Sequence, residues 1–63
     1  MIKMMEVVGV SGSSFSDAVK SVVNTLLKAG HKVYWFEVVE QRGAMRNENI
    51  EFQVKVNVAV ESV

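Results

Sequence analysis

The spacing of apolar side chains changes period twice along the chain. Residues 2 to 10, IKMMEVVGV, are rich in β-compatible side chains and run into a cluster of Gly and Ser, which predicts a first strand closed by a turn. In SSFSDAVKSVVNTLLKAGHK the apolar positions Phe15, Ala18, Val19, Val22, Val23, Leu26 and Leu27 fall at i, i+3, i+4, i+7, i+8, i+11 and i+12. That spacing predicts a helix with one buried face. After Gly30 the period becomes two. Residues 33 to 41 read as a second strand and residues 50 to 61, IEFQVKVNVAVE, as a third, with Phe52, Val54, Val56, Val58 and Val60 on one face. Between them RGAMRNEN carries Gly43, Asn47 and Asn49, which suit a turn.

The helix ends are marked by their own chemistry. Ser14 is placed to accept from a free backbone N–H of the first turn, and Asp17 sits where the positive end of the helix dipole favours an anion. Gly30 supplies the left-handed stop, with Lys28 near the negative end.

These elements predict an α+β fold of order β-α-β-β: a three-stranded sheet with one helix on one face, forming one domain over residues 1–63. Strands two and three, joined by a short loop, should pair antiparallel. Strict alternation sets Tyr34, Phe36 and Val38 beneath the helix with the apolar residues of strand three. It sets Trp35, Glu37, Val39 and Gln41 on the other face, beside Gln53, Lys55, Asn57 and Ala59. The only tryptophan therefore stands on the polar side.

Size changes the picture. With 63 residues, no cysteine and no proline, the chain has no disulfide and no thiolate metal site to supplement a small core. Self-association is the remaining source of stability. A formal net charge of zero and the lack of a basic run argue against nucleic acid as a partner. No stretch reaches the roughly 18 apolar residues of a membrane span, and no signal-peptide pattern opens the chain, so the expected location is the cytoplasm.

Two uses suit an outward tryptophan. Trp35 can fill an oligomer interface, where aromatic residues are enriched, or it can form a stacking wall for a planar ligand. Both hold together if the ligand lies in the interface. Gln53, on the same face of the adjoining strand, offers an acceptor and two donors in one plane, which suits a heterocycle edge of alternating carbonyl and N–H groups.

The β-α-β-β order resembles the dodecins, very small flavin-binding proteins, when it is taken with a first strand ending VGVSGSSF, a helix beginning FSDAV, WFEVVEQRG and the later FQVKVNVAVE. The resemblance spans nearly the whole chain, and WFEVVEQRG is its specific part. It implies a homododecamer built from trimers, whose curved three-stranded antiparallel sheets wrap around the helices. It further implies flavins bound in pairs between trimers, each isoalloxazine held between a tryptophan and a second flavin. By position, Trp35 is then the stacking residue and Gln53 bonds the pyrimidine edge, with Arg42 and Glu40 close to the ligand. Ala44 and Met45 follow the QRG triplet where many members carry a basic or polar side chain, so the resemblance does not choose between riboflavin, FMN and a lumichrome-like product.

Three functions follow for comparison. The first is a flavin store that sequesters the ligand and protects it from photochemistry. The second is a flavin enzyme; it needs an acid or base beside the ring, but His31 lies in the post-helix turn and no Ser/His/Asp or Cys/His set exists, so no catalysis is expected. The third is a structural or cation-binding shell of the same fold. The carboxylates at Glu6, Glu37, Glu40, Glu48, Glu51 and Glu61 are scattered, and retention of Trp35 and Gln53 favours the flavin. GVSGSSF has its glycines at the wrong spacing for a phosphate loop, and Met1, Met4, Met5 and Met45 read as packing residues.

Overall fold

Strand β1 (Ile2–Ser11) leads into helix α1 (Phe15–Lys28), and strands β2 (Val33–Arg46) and β3 (Asn49–Glu61) follow as a hairpin. The computed structural model describes residues 1–62, so Val63, the end of the expected domain, lies outside the described residues. The sheet order is β1-β3-β2 with both pairs antiparallel. The last strand of the sequence is thus the central one. This is the β-α-β-β arrangement that the apolar periodicity predicts.

Both helix caps form as their residues dictate. Ser14 is extended, and its hydroxyl accepts from the Asp17 N–H at 3.0 Å, satisfying a donor the first turn leaves free. At the other end the Gly30 N–H donates to the Leu27 carbonyl and the His31 N–H to the Leu26 carbonyl, each at 3.0 Å. Gly30 has φ +91°, the left-handed conformation this paired cap requires.

The helix packs chiefly on β1 and β3. One i, i+4 row, Ala18, Val22 and Leu26, is buried with Val54, Val56, Val58 and Val60 of β3, and Phe15 meets Phe52 edge-on with ring centroids 5.0 Å apart. Leu27, expected on the buried face, is half exposed. The apolar stripe of α1 is wider than the strip of sheet beneath it. Helix and sheet come so close at β1 that a Cβ on Gly9 would fall 2.4 Å from Val22 Cγ2 and 2.8 Å from the Ala18 carbonyl oxygen.

The loop expected over residues 42–49 is in fact a two-residue turn. Asn47 and Glu48 take φ +50° and +67°, the pair of positive values of a type I′ hairpin, whose twist matches that of its strands. Gly43 and Asn49 are accordingly strand residues.

Strand β2 also departs from strict alternation. Its register on β3 slips between Val33 and Trp35 and again between Val38 and Glu40, with Tyr34 and Val39 as the extra residues. The first slip puts Val33 on the helix side and Trp35 on the other. The second moves Gln41 to the helix side and brings Glu40 and Arg42 round to the face of Trp35, where alternation had placed Val39 and Gln41. Phe36 and Val38 face the helix side but remain 47% and 40% exposed because α1 touches the edge strand β2 least, and Tyr34, the extra residue of the first bulge, is exposed too. The chain leaves 4499 Å² accessible, against about 4,000 Å² for a compact monomer of this mass.

Candidate functional site

Directly opposed residues on neighbouring strands share a face, so register maps the side turned away from the helix. Its successive rungs, read across β1, β3 and β2, are Met4–Ala59–Trp35, Glu6–Asn57–Glu37, Val8–Lys55–Glu40 and Val10–Gln53–Arg42. All four residues expected at a flavin site, Trp35, Gln53, Arg42 and Glu40, lie on this face. For Arg42 and Glu40 this depends on the second bulge.

Three of the four converge. A recess of about 130 Å³ is lined by Val8, Glu40, Arg42, Gln53, Val54 and Lys55. Arg42 Nε donates to Gln53 Oε1 at 2.6 Å, and Gln53 Nε2 donates to Glu51 Oε1 at 2.8 Å. Glu51 Oε2 lies 3.6 Å from Arg46 Nε, and Lys55 Nζ lies 3.8 Å from Glu40 Oε1. The Gln53 amide keeps one N–H and one oxygen lone pair beyond these bonds, enough for a donor–acceptor edge of a heterocycle. Arg46, Lys55 and Glu40 are open to water and only Glu51 is partly buried, so the ion pairs contribute little stability and a ligand can displace them.

Trp35 is not in that recess. It stands opposite Ala59, whereas Gln53 stands opposite Arg42, six residues along β3. At about 3.4 Å per residue this is roughly 20 Å of strand. A three-ring heterocycle cannot reach both within one chain. Sharing a face and adjoining strands, the basis on which sequence pairs these two residues, does not make them neighbours.

Next to Trp35 the extra residue Tyr34 donates its hydroxyl to Glu61 Oε2 at 2.7 Å, with Lys32 Nζ 5.2 Å from the ring centre. Donation to Glu61 pushes the Tyr34 hydroxyl pKa up, and that bond, followed by the N-terminal amine, holds the Glu61 carboxyl below the usual carboxylate range. Met4 and Met45, read as packing residues, are exposed. Glu51, which orients Gln53, reads in the sequence only as one of the scattered carboxylates; its place two residues before Gln53 on the same side of a strand was the available signal. Among the described residues no group of three or more His, Asp or Glu side chains is placed to hold a metal ion, and no helix is long and apolar enough to cross a membrane.

No curated protein sequence matches the chain. Solved structures do. A dodecin from Streptomyces davaonensis is 28% identical with a TM-score of 0.88, covering 100% of this chain and 94% of its own. An arginine-to-alanine mutant of the T. thermophilus dodecin is 26% identical with a TM-score of 0.88, at 100% and 96% coverage. A calcium-chelating dodecin from Mycobacterium tuberculosis has the same fold, with a TM-score of 0.91 at 20% identity, over 100% of this chain and 91% of that one. The family profile described as Dodecin matches residues 1–62. With the β-α-β-β order and the sequence profile in agreement, the chain belongs to the dodecin family.

Proposed function

We propose that this protein binds oxidised flavin, namely riboflavin, FMN or a lumichrome-like product, and stores and shields it without catalysing a reaction on it. It does so in the cytoplasm as a homododecamer built from trimers. The observation that carries this reading is Trp35, an indole 51% exposed on the sheet face turned away from the helix, sharing that face with the Arg42–Gln53 pair. Stacking on an aromatic side chain contributes ~1–3 kcal/mol per base in nucleic-acid complexes, and a flavin offers a larger surface.

Because Trp35 and Gln53 are too far apart in one chain, the site takes its stacking wall from one subunit and its hydrogen-bonding edge from another. Gln53, with Arg42 bonded to it and Glu40 beside it, meets the pyrimidine edge of the ring. Assembly also accounts for the apolar side chains of β2 that α1 leaves bare. Bound flavin supplies a redox-active and photosensitive ring, and the role of this chain is to hold the ring against an indole that quenches its excited state.

Adding riboflavin to the apo-protein tests the proposal. Its fluorescence is quenched by the wild type and not by Trp35→Ala, while Gln53→Leu weakens binding about tenfold through one lost polar contact. Subunits carrying Trp35→Ala and Gln53→Leu, mixed and reassembled, recover part of the quenching because intact halves meet. No quenching by the wild type, or equal quenching in Trp35→Ala, defeats the reading.

A further inference from the structure

Ala59 has 0% exposure, yet it is not part of the cluster covered by α1, and its register turns it to the opposite face of the sheet. Side chains on that face must cover it. Those at its own rung are Met4 of β1 and Trp35 of β2, each about half exposed. Tyr34, the other ring nearby, is tied by its hydroxyl to Glu61. A methyl group leaves free space above the central strand, and of the apolar groups on this face the indole and the thioether are the two directly opposite Ala59, with Ile2 one rung away opposite Glu61. Half exposure is also what a flat ring shows when one of its faces is covered.

We infer that Met4, Ala59 and Trp35 form a built platform across the three strands. Ala59 is the floor on which the indole lies, Met4 borders the indole and sets its tilt, and a ligand reaches one indole face only. Ala59 and Met4 are positioning residues. The inference names how the wall of the proposed flavin site is made, and it rests on that reading for its ligand alone. A ring already laid flat loses no rotamer freedom when a heterocycle stacks on it. The thioether is suited to the border because it is polarizable and favours contact with ring edges. Any side chain larger than alanine at residue 59 lifts the indole from the sheet.

The test reads the indole before it reads the ligand. In apo-protein, Ala59→Val is expected to about double the acrylamide quenching constant of the single tryptophan, since both ring faces open to solvent, and to change its near-ultraviolet dichroism. With riboflavin added, the same variant binds about tenfold more weakly, a change of 1.4 kcal/mol. Met4→Ala, which removes a border without crowding the floor, gives a smaller change of the same sign and decides the matter if Ala59→Val does not fold. An indole as protected in these variants as in the wild type overturns the platform. If the wild type binds no riboflavin, the flavin reading fails, and the ligand-free quenching still decides for or against the platform.

Discussion

Val56 of β3 and Val38 of β2 stand directly opposite each other on the same face of neighbouring strands, but Val56 has 0% exposure and Val38 has 40%. Both are valines of extended strands. What differs is position: Val56 lies on the central strand between Val7 and Val38 and under the helix, whereas Val38 lies on an edge strand that the helix touches least. The covered half of the sheet holds the fold of the single chain. The bare half carries Trp35 and the apolar residues that the chain by itself leaves in water. Apolar content in a strand thus says that the strand will be covered, not by what.

The sharpest way to break this contrast is to truncate both valines. Val56→Ala is expected to cost about 2–3 kcal/mol by loss of transfer energy and a cavity the core cannot close. Val38→Ala, in chains diluted until they dissociate, costs under ~1 kcal/mol. At higher concentration it shifts the mass distribution toward smaller species. Equal denaturant midpoints for the two dilute variants would abolish the distinction between the halves.

Gly9→Ala probes the covered half from its other side. A Cβ 2.4 Å from Val22 and 2.8 Å from a backbone oxygen must push the helix off β1, an overpacking expected to cost about 1–3 kcal/mol in a thermal melt. A melt unchanged by Gly9→Ala would show that the helix seat is looser than the packing implies.

The smallest effect belongs to the Tyr34–Glu61 bond beside the bare half. Glu61 has its pKa lowered, so its share of stability is present above the ordinary carboxylate range and is lost as pH falls through the lowered value. Tyr34 has its pKa raised, so its share is lost as pH climbs through the raised value. Both groups are open to solvent, and the contribution is slight. Melting wild type and Tyr34→Phe across pH should show a small gap at neutrality that closes at both extremes. A gap independent of pH would assign the effect to packing instead.

Much of the fold was legible in the chain. The helix, its Ser14 cap and its Gly30 stop follow from rules that act within a few residues, and the valines of β3 announce their buried face through a period of two. The antiparallel pairing of the last two strands was legible but the tightness of their turn was not, because Glu48 stands where a two-residue turn usually shows glycine. The face of Arg42 and Glu40 was hidden for a related reason. A bulge flips side-chain parity without any distinctive residue, and Val39 looks like any strand valine. At the candidate site alternation singled out Trp35 and Gln53 and the resemblance added Arg42 and Glu40, while Ala59 was placed on their face without a role because a small residue among valines looks like a weak one.

By itself the sequence determined the element types, their order, the caps and the outward tryptophan, since each rests on spacing or on the chemistry of adjacent residues. Only the tertiary structure decided which strand the helix leaves bare, how far Trp35 stands from Gln53, and what closes over Ala59. These depend on pairing between residues distant in the chain, where one slipped position turns every later side chain to the other face.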